Sequence, residues 1–225
     1  MSTNNGFNLD ITLCIDVSGG MVPFLENFRH KSHSFYDIIC DEYLTKGLIA
    51  PDKVRVKMIA FKDYSVDLEP MVESEFFSLE NEDERNNFAC FTDYLDAMGG
   101  GDLPECSYEA LALAMKAPWT EKGVKKRHII ALVTDAPPKP LSKKNLEIAG
   151  YPEDMPKSEK ELEALWDEMS VREKRLLIFA PECEEWQSFA EGWEGVVHKE
   201  NVRFLGGCDD VDIDTLARMI VGIGG

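Results

Sequence analysis

The chain has 225 residues, of which 44% are hydrophobic, so it can bury a sizeable core and is not a disordered polymer. Its 42 acidic against 24 basic residues give a net charge of −18, which we interpret as a self-repelling surface. This charge argues against binding to nucleic acid and to anionic membranes, because both need clustered Lys and Arg.

The first half of the chain alternates between strand and helix patterns. Residues 9–15 form a predicted strand that ends at Asp16. A long helical stretch follows, in which apolar side chains recur at three- and four-residue spacing from Phe24 to Tyr43. Residues 54–61 are predicted to form a second strand, and residues 68–72 a short edge strand.

The same alternation continues in the second half. Residues 88–98 form a helical face that is closed by three glycines, and Pro104 suits the first turn of another helix. The apolar run at 128–133 is typical of a central parallel strand that is covered on both faces. The remaining predicted elements are a helix that begins at a capping box, two strands and a closing amphipathic helix: 158–169, 176–180, 202–205 and 213–220.

Strands that alternate with helices predict an α/β fold, doubly wound, with a mostly parallel central sheet and helices on both faces. Neither an internal repeat nor a domain boundary is evident, so we expect residues 1–225 to form a single domain. The polar stretch at 137–157 is too long for an ordinary connection and is predicted to be an elaborated surface loop.

The sequence also predicts a cytoplasmic location. The start, MSTNNGFNLD, has neither the basic nor the apolar region of a secretory signal, and no apolar run approaches the roughly 18 residues of a membrane span. The six cysteines lie far apart without metal-binding spacing, as expected of reduced thiols: Cys14, Cys40, Cys90, Cys106, Cys183 and Cys208.

Acidic loops follow three of the predicted elements. Asp16 and Ser18 follow the first strand, Asp102 follows the glycine run, and Asp135 ends the strand at 128–133. Ligands bind beyond the carboxyl ends of strands in open α/β sheets, and carboxylates and hydroxyls are the hard oxygen ligands of Mg²⁺, Mn²⁺ or Ca²⁺. Taken singly, each aspartate is more simply interpreted as a helix N-cap. Together they predict a divalent-metal site.

These residues carry a resemblance to a known family. The segment Asp16-Val17-Ser18-Gly19-Gly20 resembles the DxSxS element of the metal-ion-dependent adhesion site in von Willebrand factor type A (vWA) domains, and Asp135 resembles the later strand-end aspartate. The blocks GGGDLPE at 99–105 and DAPP at 135–138 are similar to those of vWA domains found alongside alpha-kinases. The match in chain order covers roughly residues 7–222.

The resemblance implies a Mg²⁺ or Mn²⁺ ion held from three loops by Asp16, Ser18 and Asp135, with Asp102 where many members carry a threonine. It also implies recognition of a protein partner rather than turnover, because the family commonly leaves one coordination position to a partner's carboxylate. Here Gly20 replaces the last serine of DxSxS, and Asp102 adds a charge.

An ion near three aspartates would leave a net charge of −1, so we expect the site to stabilise the fold or to accept a neutral or basic partner group. Lys139, near where the related pattern has histidine, either lies over the acids as a counter-ion or points into water.

The leading hypothesis is thus a metal-assisted protein-interaction domain without enzymatic activity, with a partner that the sequence does not identify. One alternative is a metal-dependent phosphohydrolase with Asp16 as nucleophile, although Ser18 stands where such enzymes carry a second aspartate. Another is a metal-free structural scaffold with a degenerate site, which Gly20 keeps open.

Overall fold

The computed structural model describes residues 7–97, 99, 103–121, 125–199 and 211–224. Within these residues, the strands are β1 (Asn8–Asp16), β2 (Lys53–Phe61), β3 (Met71–Glu73), β4 (Phe77–Ser78), β5 (Lys126–Val133), β6 (Lys174–Phe179) and β7 (Val196–Lys199). The α-helices are α1 (Val22–Lys31), α2 (Phe35–Thr45), α3 (Glu82–Tyr94), α4 (Ser107–Met115), α5 (Glu159–Glu168), α6 (Glu184–Gly192) and α7 (Ile213–Gly224).

All of these strands belong to one sheet of order β3-β2-β1-β5-β6-β7, with β4 also paired to β2. The pairs among β2, β1, β5, β6 and β7 are parallel, whereas the short strands β3 and β4 run antiparallel to β2. The chain passes from β1 to β2 on one side and later returns to β5 on the other side of β1. The strand order therefore reverses between β1 and β5, where α/β sheets commonly bind ligands.

The central strand β1 shows why the sheet has helices on both faces. Its side chains alternate between the two faces, so Leu9, Ile11 and Leu13 pack with α1, α2 and α7, while Cys14 faces the cluster built by α4, α5 and α6. All four side chains are fully buried. The doubly wound α/β fold expected from the sequence is confirmed.

A buried ion pair anchors the amino-terminal end of β1. Asp10 is 1% exposed and accepts hydrogen bonds from Arg55 Nε at 2.9 Å and Nη2 at 2.6 Å, and from the Thr120 backbone N–H at 2.7 Å. This arrangement ties β1 to its neighbour β2 and to the segment that precedes β5. Removing one partner of such a pair leaves the other charge partly desolvated and unpaired.

Several predicted boundaries were wrong for identifiable reasons. The long helix breaks at Ser32–Ser34, a 3₁₀ turn in which the Ser32 hydroxyl donates to the Arg29 carbonyl. The edge strand begins only at Met71, and α4 begins at Ser107 rather than at Pro104 because Glu105 pairs with Pro138 in an isolated parallel bridge.

Other predicted elements agree with the structure or lie outside it. Ser158 caps α5 by accepting from the Glu161 N–H at 3.3 Å, as the capping box predicted. The sequence interpretation missed α6 and β7, and the strand predicted at 202–205 lies outside the described residues. In the described part of the chain, no helix is both long enough and apolar enough to cross a bilayer.

We predict that Asp10→Ala lowers the free energy of unfolding by about 3 kcal/mol, because it leaves the Arg55 guanidinium and the Thr120 backbone N–H without their hydrogen-bond acceptor. Chemical denaturation measures this loss. The matched control is Asp154→Ala, which removes an exposed pair with Lys116 and is expected to cost less than about 1 kcal/mol. Equal losses in the two variants would contradict a structural role for Asp10.

Candidate functional site

The candidate site lies where β1 and β5 end side by side. Ile15 is the parallel neighbour of Val133, so the residues that follow the two strands emerge at the same edge of the sheet. Asp16 ends β1, and Asp135 comes two residues after β5. The structure therefore brings together the ends of the two strands that carry predicted metal ligands.

Asp16 is fully buried, and both of its carboxylate oxygens accept hydrogen bonds. The Ser18 backbone N–H donates to Oδ1 at 2.8 Å, and the Thr134 hydroxyl donates to Oδ2 at 2.7 Å. Thr134 is itself oriented by the Ala136 N–H, which donates to its hydroxyl oxygen at 3.1 Å. Burial raises the pKa of Asp16 to about 6, while the hydrogen bonds from Thr134 and Ser18 act in the opposite direction.

Asp135 lies directly over Gly20. A Cβ atom placed on Gly20 would lie 1.9 Å from Asp135 Oδ2, so any larger residue at this position would have to displace the carboxylate. The neighbouring Gly19 is different, because its nearest contact would be the Gly99 carbonyl oxygen at 3.6 Å. The departure from DxSxS at Gly20 thus leaves room for the Asp135 side chain. Burial also raises the pKa of Asp135.

Glu105 belongs to the same acidic cluster, and sequence reasoning did not assign it a role. Its side chain is 1% exposed, and its Oε2 atom has no hydrogen-bond partner among the described residues. Burial is the largest cause that raises the pKa of Glu105 to about 8, and the negative charges of four nearby aspartates contribute the rest: Asp16, Asp63, Asp67 and Asp135. The only sequence signal for Glu105 was its place at the end of the GGGDLPE block.

Lys139 supplies a positive charge beside these acids. Its Nζ donates to both oxygens of Asp63, at 2.6 and 2.7 Å, and to the Ser65 hydroxyl at 2.5 Å. Burial works to raise the pKa of Asp63, but the hydrogen bonds from Lys139 and Ser65 outweigh it and lower that pKa. Of the two interpretations of Lys139, the structure favours the internal counter-ion, with Asp63 as a partner that the sequence did not indicate.

Backbone pairing fixes Glu105 and Lys139 relative to each other. The Glu105 N–H donates to the Pro137 carbonyl at 3.2 Å, and the Lys139 N–H donates to the Glu105 carbonyl at 2.7 Å. The Cys106 N–H donates to the Lys62 carbonyl at 3.2 Å, which joins this turn to the end of β2. The loops after β2 and β5 and the turn before α4 thus form one hydrogen-bonded unit.

Three of the four predicted metal ligands lie among the described residues. Ser18 is 6% exposed and adjoins Asp16, and Asp135 approaches from the neighbouring loop. Asp102, the fourth predicted ligand, lies outside the described residues. Among the residues that are described, no three acidic, histidine or cysteine side chains are grouped closely enough to hold a metal ion by themselves.

Sequence comparisons identify no relative, whereas structural comparisons identify the fold. No protein-family model and no curated protein sequence matches the chain. The pilus adhesin SpaC from Lactobacillus rhamnosus GG matches over 96% of this chain and 31% of its own, with a TM-score of 0.61 and 14% identity. The open conformation of the same adhesin matches over 98% of this chain and 31% of its own, with a TM-score of 0.59 and 12% identity.

A von Willebrand factor type A protein from Catenulispora acidiphila is similar to 96% of this chain and 43% of that chain, with a TM-score of 0.53 and 13% identity. The chain therefore has a vWA-like fold. It spans less than half the length of each solved chain named here.

We predict that Glu105 makes the fold less stable as the pH rises from about 4.5 to about 8. Its pKa is raised from an ordinary 4.5 to about 8, so the folded state binds the proton more tightly than the unfolded state over this range. In EDTA, the wild type should lose up to about 1.4 kcal/mol per pH unit more than Glu105→Gln does.

Denaturant unfolding at several pH values measures the difference between the two slopes. Glu163→Gln, an exposed position on α5, serves as the control and should keep the wild-type slope. Identical slopes for the wild type and Glu105→Gln would contradict the burial of the Glu105 carboxyl group.

Proposed function

We propose that this chain is a metal-assisted protein-interaction domain, with a divalent-cation site at the carboxyl ends of β1 and β5. The observation that carries the proposal is the meeting of Asp16 and Asp135 at this edge, with the Asp135 carboxylate lying where Gly20 has no side chain. Asp16, Ser18 and Asp135 would hold Mg²⁺, or Mn²⁺ or Ca²⁺, and Asp102 is the fourth proposed ligand.

The chemistry of these donors fits a hard divalent cation. Carboxylate and hydroxyl oxygens are the ligands that Mg²⁺ and Ca²⁺ prefer. The Glu105 Oε2 atom, which is buried without a partner, is a further oxygen that a nearby positive charge would stabilise. A bound cation supplies a Lewis-acidic position on which an oxygen of a partner can be placed.

The protein's own residues determine how the site is charged. Thr134 and the Ser18 backbone fix the orientation of the Asp16 carboxylate through both of its oxygens. Lys139 offsets the charge of Asp63 but leaves the carboxylates of Asp16 and Asp135 without a basic ion-pair partner among the described residues. We therefore propose that the site accepts a neutral or basic group from its partner in preference to a second carboxylate.

We propose binding rather than catalysis for this site. Both oxygens of Asp16 accept hydrogen bonds and the side chain is fully buried, which does not suit a nucleophile that must reach a phosphorus atom. Ser18 also stands where a phosphohydrolase of this kind would need a second acid. Turnover of a generic phosphate ester that disappears in Asp16→Asn would favour the enzyme instead.

Three finer points are part of the proposal. The GGGDLPE and DAPP blocks support placement in the vWA subtype found alongside alpha-kinases. The free thiols of the five described cysteines are compatible with a reduced, cytoplasmic location. The cores on both faces of one sheet support a single domain over residues 1–225.

We predict that millimolar Mg²⁺, Mn²⁺ or Ca²⁺ raises the thermal unfolding temperature of the wild type relative to EDTA. An ion that binds only the folded state, at about 100 times its dissociation constant, adds roughly 2.7 kcal/mol and several degrees. Asp16→Asn and Asp135→Asn should lose this shift, whereas the exposed Asp154→Asn should keep it.

Two adjacent glycines provide a matched pair for the same measurement. Gly20→Ala must displace the Asp135 carboxylate and should weaken the metal-dependent shift, whereas Gly19→Ala meets only an ordinary contact and should preserve it. Because the displaced group is the end of a side chain, both variants should fold. A shift that is the same in both glycine variants, or that persists in Asp16→Asn, would rule out the proposed site.

We further predict that partner capture depends on both the ion and the site. Immobilised wild-type protein should retain at least one cell protein several-fold better in Mg²⁺ than in EDTA, as quantified by mass spectrometry. Asp135→Asn should lose this enrichment and Asp154→Asn should keep it. The same set of captured proteins under all conditions would contradict metal-assisted recognition, even if the thermal experiment detects an ion.

A further inference from the structure

A cavity opens at the opposite end of the sheet from the acidic site. It has a volume of about 290 Å³ and lies between the start of β1, the end of α2, the start of β5 and the end of α7. Its apolar lining is formed by Phe7, Tyr43, Leu48 and Ile49. Leu48 is 37% and Ile49 61% exposed, so this lining remains partly open to solvent.

The charge of this cavity is the reverse of the charge of the whole protein. Of the described residues, Lys125 and Arg127 line it and no acidic side chain does, in a chain with 42 acidic and 24 basic residues. Arg127 Nε donates to the Gly224 carbonyl and its Nη1 to the Lys126 carbonyl, both at 3.1 Å, so the guanidinium group is held in place by backbone.

Among the described residues, these two contacts use two of the five N–H donors of Arg127, so further donors remain for a ligand. In the part of the chain that the structure describes, neither Lys125 nor Arg127 takes part in an ion pair. An anionic group that enters the cavity would therefore meet two basic side chains that no carboxylate of the described chain already occupies.

The Tyr43 hydroxyl is the third polar group at this cavity. Tyr43 is fully buried, its ring stacks edge-on against Phe7 at 5.7 Å, and its hydroxyl has no hydrogen-bond partner among the described residues. Burial is the main cause that raises its pKa to about 12, and the positive charge of Arg127 opposes this rise. A buried hydroxyl without a partner is costly unless a ligand supplies an acceptor.

From this combination we propose that the cavity binds a small amphipathic monocarboxylate, with its carboxylate at Arg127, Lys125 and the Tyr43 hydroxyl and its apolar tail against Phe7, Leu48 and Ile49. A planar carboxylate can accept paired hydrogen bonds from a guanidinium group, and its oxygens also satisfy a phenol donor. The volume lies at the small end of the range for ligand pockets, which favours a short aliphatic or single-ring acid.

Octanoate is the test ligand, with octanamide as its neutral counterpart and octylamine as its cationic one. Binding is measured by isothermal titration calorimetry and located by NMR chemical-shift mapping. Octanoate should bind at least about tenfold more tightly than octanamide, because hydrogen bonds to a charged group are the stronger ones. Affinity should be the same in EDTA and in Mg²⁺, since the acidic site lies at the other end of the sheet.

Variants separate a ligand site from a merely structural pocket. Tyr43→Phe should weaken octanoate binding about tenfold while leaving the free protein equally stable or more stable, because it removes a hydroxyl without a partner. Arg127→Met should abolish the preference for octanoate over octanamide, and the exposed Arg172→Met should not change it. Equal binding of octanoate and octanamide, tighter binding of octylamine, or unchanged affinity in both cavity variants would overturn the proposal.

Discussion

Taking carboxylates out of water is the constraint on which the rest of the acidic site depends. An ionised carboxylate that is buried without partners is far less stable than one in solvent, so each acid at the ends of β1 and β5 needs its own compensation. Asp16 has hydrogen bonds from Thr134 and from the Ser18 backbone, and Asp63 has Lys139. The Glu105 Oε2 atom has no hydrogen-bond partner among the described residues, and the pKa of Glu105 rises furthest above its ordinary value among these three acids.

The differences among these acids follow from where each one lies in the fold. Asp16 ends the central strand, so the sheet itself presents its oxygens to the backbone of the following turn. Glu105 instead precedes a helix and turns inward because the loop after β5 pairs with its backbone. The site therefore contains two different buried acids. Both carboxylate oxygens of Asp16 accept hydrogen bonds, whereas the Glu105 Oε2 atom has no hydrogen-bond partner among the described residues.

Local sequence patterns predicted some features of the sheet and of the acidic site but not others. The strands that carry Asp16 and Asp135 are apolar runs with abrupt polar ends, so both the sheet and the meeting of these two residues were predictable. The burial of Glu105 depends on a backbone contact with a distant loop, which periodicity does not encode. The contact of Lys139 with Asp63 likewise joins two loops that are distant in the sequence. The sequence interpretation missed β7 because a strand of four residues is too short to show a clear alternation of apolar and polar side chains.

The two ends of the sheet also differ in the sign of their unpaired charge. Buried acids lie around the ends of β1 and β5 at one end, whereas Lys125 and Arg127 lie beside apolar side chains at the other, where no acidic side chain among the described residues pairs with them. The vWA-like fold provides the scaffold for both ends. A negative protein can thus keep a locally positive cavity, because charges separated by more than a Debye length are largely screened from each other.

The backbone hydrogen bonds between Glu105, Pro137 and Lys139 have a mechanical consequence. Because these bonds join the turn before α4 to the loop after β5, a force on either segment is transmitted to the other. The Lys139 ammonium group in turn donates to both carboxylate oxygens of Asp63, just after the end of β2, so hydrogen bonds connect three separate loops. A displacement of the Pro137 segment would therefore move the Lys139 ammonium group and the Asp63 carboxylate together, so that the two charges stay paired while their position changes.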